Sequence, residues 1–172
     1  DLFYLLQNPN PFPVTARVRY LRKNASSLEK TYELAPASRR SVWVDLETFG
    51  AAPSRLLADV ELSAVIETLD GSGIVVERAM YDSRARAFSA GHESAGVTAP
   101  ATAWYFAEGA TGPYFDLFLL VANPEARDAE IRVTYLLPDG RQEVRRHRVP
   151  ASQRYTIWVD QEGDALVDTP LS

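Results

Sequence analysis

Residues 1–9 read DLFYLLQNP and residues 116–124 read DLFLLVANP, so an apolar run that ends in Asn-Pro returns 115 positions later (residue 1 against residue 116). A run of this length suits a buried strand, and the Asn-Pro pair that ends it is typical of a turn. Recurrence at a fixed spacing indicates internal duplication, which decides how the chain is divided into domains.

Three further blocks repeat in the same order. They are RVRYL (17–21) with RVTYL (132–136), PAS (36–38) with PAS (150–152), and WVDLE (43–47) with WVDQE (158–162). The PAS block slips by one residue, as expected of a loop. A period of this size matches a whole domain rather than a solenoid unit, so each copy should have its own core.

The repeat predicts two modules, residues 1–100 and residues 101–172. We expect the first to lack its opening strand, whose counterpart starts at Trp104, and the second to lack its closing strands. The sequence is therefore interpreted as a section of a longer tandem array. An uncovered sheet edge would be filled by neighbouring modules in cis or by a strand added in trans, and continuity in cis is the simpler explanation.

Short strands account for the complete module that the two copies give when joined. Val, Ile, Thr and aromatic residues dominate these segments, and turn sequences such as Pro138-Asp139-Gly140 separate them. The predicted strands are 104–107, 117–122, 130–136, 143–149, 155–159, 60–68 and 74–81. This pattern favours an all-β fold of immunoglobulin-like or fibronectin-like β-sandwich modules in tandem, with a closed barrel as the alternative.

Composition excludes several classes of partner. The chain has 172 residues, a net charge of −5 at pH 7 and no cysteine. This mild acidity gives no electrostatic basis for binding nucleic acid, and the lack of cysteine excludes disulfides and thiolate metal sites. The apolar runs have the length of strands, so we expect no membrane span.

Longer motifs resemble a known family. WYFAEG (104–109), VERAMY (76–81) and GHESAGVTAP (91–100) together resemble a tandem β-sandwich repeat module of large secreted bacterial proteins, a domain of unknown function. The resemblance covers nearly the whole chain. It implies a secreted or bacterial cell-surface location, neighbouring copies of the module as partners, and no established catalysis.

The predicted junction between the modules is the first candidate site. Its residues lie between the last strand of one module and the opening of the next: His92, Glu93, Pro100, Trp104, Tyr105, Phe106 and Glu108. Because Pro fixes φ and large rings pack across a joint, this segment should limit bending. It predicts an extracellular structural module that forms a stalk, surface layer or filament through end-to-end packing.

Trp43 and Trp158 occupy equivalent places in the two copies and form the second candidate site. The interpretation favoured by the sequence is that these rings fill the sandwich core, where large aromatic residues bury the most area. If exposed, they would form an aromatic platform for sugar rings. The alternative function is therefore a glycan-binding or adhesive surface module.

Catalytic and metal-binding patterns are weak. The chain has two histidines and no Gly-x-Ser-x-Gly sequence, metal cluster or phosphate loop. We therefore predict that it is not an enzyme and has no cofactor. The metal alternative is calcium at the pair Asp45 and Glu47, repeated at Asp160 and Glu162, although this spacing falls well short of an EF-hand loop.

Overall fold

The structure, a computed structural model, describes residues 1–50, 54–82 and 90–172. Antiparallel strands form most of this part of the chain, and its helical segments are 3₁₀ turns of three residues each. The all-β class predicted from the sequence is therefore confirmed.

The chain divides into two compact units, and each has its own hydrophobic cluster. Unit 1 comprises Asp1–Arg22 and Ser27–Ala99, and unit 2 comprises Pro100–Ser172 together with Lys23–Ser26.

Unit 1 forms two antiparallel sheets. Its strands are β1 (Leu2–Asn8), β2 (Val14–Arg22), β3 (Leu28–Leu34), β4 (Ser38–Trp43), β5 (Leu62–Thr68), β6 (Val75–Asp82) and β7 (Ala90–Ala95). One sheet has the order β4-β1-β6-β7 and the other has the order β3-β2-β5. The 3₁₀ turn Val44–Leu46 follows β4 directly.

Alternation of apolar and polar residues sets which side of each strand is buried. In β2, Val14, Ala16 and Val18 are buried, whereas the alternate residues Arg17 and Arg19 point to the opposite side of the sheet. Buried side chains from both sheets form one cluster: Tyr4, Leu6, Ala16, Val18, Tyr20, Tyr32, Leu34, Val42, Val44, Leu57 and Leu62. Each fully buried Val or Leu contributes about 1.5–3 kcal/mol. The two sheets of unit 1 therefore share one core.

Unit 2 contains three two-stranded pairings. Its strands are β8 (Gly109–Ala110), β9 (Phe118–Asn123), β10 (Ala129–Leu136), β11 (Gln142–Val149), β12 (Gln153–Trp158) and β13 (Pro170–Leu171). Among the described residues, β9 pairs with β12, β10 with β11, and β8 with β13. The 3₁₀ turns are Val159–Gln161 and Asp164–Leu166.

The strand registers of the two units coincide after the 115-residue offset. In unit 1 Phe3 lies opposite Trp43, and in unit 2 Phe118 lies opposite Trp158. The β2–β3 pairing begins at Val14 opposite Leu34, and the β10–β11 pairing begins at Ala129 opposite Val149. A register shift of one residue would turn every side chain to the other side, so the shared register gives both units the same core positions.

A buried asparagine ends the first strand of this pattern in each unit. The Asn8 Nδ2 donates hydrogen bonds to the carbonyls of Phe12 at 2.9 Å, Leu34 at 3.2 Å and Ala35 at 3.0 Å, and its side chain is fully buried. The bond to Leu34 is buried, where water cannot replace the donor, whereas the bonds to Phe12 and Ala35 are partly buried. We call this arrangement the asparagine clamp.

The clamp recurs in unit 2. The Asn123 Nδ2 donates to the carbonyls of Arg127 at 2.9 Å, Val149 at 3.1 Å and Pro150 at 3.1 Å. Every acceptor lies 115 positions after its counterpart in unit 1, so the equivalence of the units extends from the backbone to individual side-chain hydrogen bonds.

Two sequence predictions are wrong. Residues 104–107 form no strand, and the first strand of unit 2 is instead β8, which pairs with β13. His92 and Glu93, predicted in a loop, lie in β7, where His92 is opposite Met80. The physical reason is tertiary, because the outer edge of β6 carries backbone groups that need partners, and the small residues of this segment can lie against it.

Candidate functional site

Both repeat tryptophans are solvent-exposed. Trp43 ends β4 and Trp158 ends β12, and their exposed fractions are 41% and 40%. The interpretation that these rings fill the core is therefore wrong. Their neighbours explain this, because Val42 and Val44 on either side of Trp43 are buried and take the core side.

Each exposed tryptophan stands beside a phenylalanine. The ring centroids of Phe3 and Trp43 are 5.2 Å apart with the planes tilted by 34°, and those of Phe118 and Trp158 are 5.5 Å apart with a tilt of 36°. In unit 1 the Tyr81 ring adds a third member, 5.9 Å from Phe3 and edge-on to it. We call Phe3, Trp43 and Tyr81 the aromatic face of unit 1, and Phe118 with Trp158 the aromatic face of unit 2.

Backbone contacts fix the position of these rings. Residues directly opposite each other in an antiparallel pair point to the same side, which places Phe3 beside Trp43. The Asp45 carboxylate Oδ2 accepts a hydrogen bond from the Leu2 N–H at 2.7 Å, so the turn after β4 holds the start of β1.

Unit 2 repeats this contact, since the Asp160 Oδ2 accepts from the Leu117 N–H at 3.0 Å. In unit 1 the third ring has a further support, because a Cβ added at Gly91 would lie only 3.2 Å from the Tyr81 Cδ1. Glycine at this position of β7 therefore leaves room for the Tyr81 ring.

Carboxylates share the side of the sheet that carries the unit 1 aromatic face. Glu93 lies opposite Ala79, which lies opposite Phe3, and Glu77 lies opposite Leu5. Rings present an apolar surface, and carboxylates accept hydrogen bonds from hydroxyl groups. This combination can bind a ligand that has one apolar face and several hydroxyls.

The predicted junction residues fall into two groups. His92 and Glu93 belong to β7, and in the segment without strands Pro100, Trp104, Tyr105, Phe106 and Glu108 are all exposed. Of its three aromatic rings, Tyr105 is the most exposed, at 92%. Their role in packing between modules stays a prediction.

The carboxylates considered for calcium are engaged by their own chain. Asp45 and Asp160 accept the backbone hydrogen bonds described above, Glu47 pairs with Lys30, and the Glu162 Oε2 lies 3.1 Å from the His147 Nε2. No group of three or more His, Cys, Asp or Glu residues suited to a metal ion occurs within residues 1–50, 54–82 and 90–172.

A buried polar pair differs between the units and was not singled out in the sequence. In unit 1 the Tyr20 and Tyr32 hydroxyls are 2.6 Å apart, and burial raises the pKa of Tyr20 to about 12. In unit 2 the equivalent positions hold Tyr135 and His147, and burial raises the pKa of Tyr135 to about 12. The Tyr135 hydroxyl has no hydrogen-bond partner within the described chain.

In the part of the chain that the structure describes, no helix has the length and hydropathy of a membrane span. Comparison with protein-family models, curated proteins and solved structures finds no match for this chain.

Proposed function

We propose that the two units are copies of one two-sheet β-sandwich module, and that the protein is an extracellular structural element of a bacterial surface. The observation that carries the proposal is the coincidence of strand registers between β1–β4 and β9–β12 and between β2–β3 and β10–β11. Two segments with one register follow one folding plan, and repetition of such units increases length.

The immunoglobulin-like prediction agrees with unit 1 in its layers, since two antiparallel sheets share a core. With the opening strand taken as missing, β1 is the second strand of the arrangement, and the pairs β1–β4 and β2–β5 match the second–fifth and third–sixth pairs of an immunoglobulin sandwich. The last of these strands differs, because β6 pairs with β1 and not with β5.

End-to-end packing of such modules would form a stalk, surface layer or filament, with copies in cis as the main partners. The exposed segment around Trp104 and Tyr105 is the proposed junction, because large rings that are exposed in one unit can pack against the next. Chains carrying two, four and eight units test this by small-angle scattering. A maximum dimension that grows in proportion to the number of units is expected, and lengths that grow as for freely jointed units would contradict the proposal.

Glycan binding is the second candidate function, and the exposure of Trp43 and Trp158 favours it. A pyranose ring would stack its apolar face on Trp43 or Phe3, while Glu93 accepts hydrogen bonds from its hydroxyls. Loss of one stacking ring costs about 1–2 kcal/mol, or roughly 5- to 30-fold in affinity.

A glycan array followed by calorimetry tests this candidate. Binding should weaken in Trp43→Ala and in Trp158→Ala and should disappear in the double variant. Trp104→Ala is the matched control, since it removes an exposed tryptophan outside the aromatic faces, and its affinity should stay unchanged. An array without any signal, or an equal loss in Trp104→Ala, would contradict a glycan site at the aromatic faces.

A further inference from the structure

The central strands of unit 1 have partners on both edges. β1 lies between β4 and β6, and β2 lies between β3 and β5. In unit 2, among the described residues, β12 is the one strand that pairs with β9, and β11 is the one strand that pairs with β10. Each equivalent central strand of unit 2 thus has one edge without a partner strand. Such edges can accept an added strand.

The core of unit 2 is open on the same side. Leu6 and Val18 are fully buried in unit 1, and their counterparts Val121 and Val133 are only partly buried. Leu119 and Ile131 are also only partly buried and pack on the unit 2 cluster. We call Leu119, Val121, Ile131 and Val133 the open face of unit 2.

From these facts we propose that the open face of unit 2 binds a β-hairpin with the sequence chemistry of β5–β6 of this chain. In unit 1 that hairpin covers the equivalent face, with Ile66 opposite Val18 and Val76 opposite Leu6. The same register on unit 2 places Ile66 of the hairpin opposite Val133 and Val76 opposite Val121. Alternate hairpin residues then fill the core while both strand edges gain backbone hydrogen bonds.

Charge supports this register. In unit 1 the Arg17 Nε donates to the Glu67 Oε1 at 3.0 Å. Arg132 is the counterpart of Arg17, and it is exposed and forms no ion pair within the described part of unit 2. A bound hairpin in the proposed register brings its Glu67 to Arg132.

Ser172 of unit 2 already lies where the first strand of the hairpin would begin. Leu136 and Ser172 exchange two backbone hydrogen bonds, N–H to O at 2.7 Å and 3.2 Å. Their counterparts in unit 1 are Leu21 and Ser63, which face each other in the β2–β5 pairing. The inference rests on the shared register and needs neither the extracellular location nor the end-to-end packing.

The test uses the full chain and a synthetic peptide of residues 64–82, which begins after the position that Ser172 already occupies, and it is followed by amide hydrogen exchange. We expect exchange of the β9 and β10 amides to slow at least about tenfold at saturating peptide. The peptide variant Val76→Lys should lose this effect because it puts a charge into the core. Val75→Lys is the matched control, since Val75 is exposed in unit 1, and it should bind like the parent peptide.

A charge reversal tests the register directly. The chain variant Arg132→Glu should bind the peptide several-fold more weakly, and the peptide variant Glu67→Arg should restore binding. Unchanged β9 and β10 exchange with the parent peptide, or equal binding of Val76→Lys and Val75→Lys, would overturn the proposal. Slowed exchange that depends on chain concentration without peptide would also overturn it, because the occupant would then be a second copy.

A covalent version of the experiment tests the same proposal when the free peptide does not form a hairpin. Residues 64–82 are appended after Ser172, the counterpart of Ser63, and unfolding of unit 2 is followed by hydrogen exchange. The appended segment should slow unit 2 exchange, and its Val76→Lys version should not. An appended segment without effect would overturn the proposal even if the glycan and scattering experiments succeed.

Discussion

Replacement of Asn8 by alanine is the most direct test of how unit 1 is held together. The substitution leaves the carbonyl of Leu34 without its donor in a buried position, and those of Phe12 and Ala35 without theirs in partly buried ones. A buried unsatisfied group costs about 1–3 kcal/mol, and each partly exposed hydrogen bond contributes about 0.5–1.5 kcal/mol. Because water reaches the partly buried carbonyls, we expect a loss of about 2–4 kcal/mol.

A loss of this size lowers the melting temperature of a unit of about 100 residues by roughly 10–25 °C. Denaturant unfolding followed by hydrogen exchange measures it, since exchange reports each unit separately. Gln7→Ala is the matched control because Gln7 is the exposed neighbour on the same strand, and it should change stability by less than about 0.5 kcal/mol.

Asn8→Asp tests whether the hydrogen-bond donors of the side chain, and not its shape, stabilise unit 1. A carboxylate is similar in shape to the amide but donates no hydrogen bond, and its charge would face three carbonyl oxygens. It should therefore destabilise unit 1 at least as much as alanine does at pH 7. If Asn8→Ala costs less than about 1 kcal/mol, or if Asn8→Asp is tolerated, the clamp does not stabilise the fold and the reasoning is refuted.

Three further predictions concern single contacts of unit 1. Asp45→Ala removes the acceptor of the Leu2 N–H and should cost about 1–2 kcal/mol in denaturant unfolding, whereas an unchanged midpoint would contradict its role. Ala37→Gly should stabilise the unit by up to about 1 kcal/mol in the same assay, because Ala37 has φ of 46° in the left-handed region, and destabilisation would show that this turn is not strained. Burial raises the pKa of Tyr20 and of Tyr32 above the value of 10.0 of an unfolded chain, so stability present below pH 10 should fall as pH rises toward 12. The tyrosinate absorbance of Tyr20 and Tyr32, obtained as the difference from a variant with both replaced by Phe, should change together with circular dichroism, and ionisation of these two tyrosines without loss of structure would refute this.

Local patterns predicted most of the strands. The predicted strand 130–136 corresponds to β10 and the predicted strand 143–149 to β11, each within one residue at its start. Alternation with period two and the turn residues between segments depend only on neighbours in the sequence, which explains this agreement. The repeat added the equivalence of positions between the copies.

Features that depend on distant partners were missed. Residues 104–106 are all aromatic and favour strands, but they have no strand partner in the described structure. Gly91 and its small neighbours disfavour strands, but β6 pairs with them. Propensity describes how a residue suits a strand and does not supply the neighbour that a strand requires.

The exposure of the tryptophans could have been predicted. Trp43 stands between Val42 and Val44, and residues on either side of a strand position face the opposite side from it. When two valines occupy one side, that side is the core. The asparagine clamp had a weaker signal, since the repeated Asn-Pro pair was interpreted only as a turn, and two of its three acceptors are distant in sequence.

The pairing of β1 with β6 has a consequence for synthesis of the protein. Leu2 lies opposite Met80, so β1 leaves the ribosome long before its central partner exists. At about 5–20 residues per second the delay is roughly 4–16 s. During that time an apolar nascent segment stays accessible to chaperones, and contacts between residues so far apart in sequence favour slow folding. One edge of β1 therefore stays without its partner strand until β6 has been synthesised, although β4 can pair with the other edge earlier.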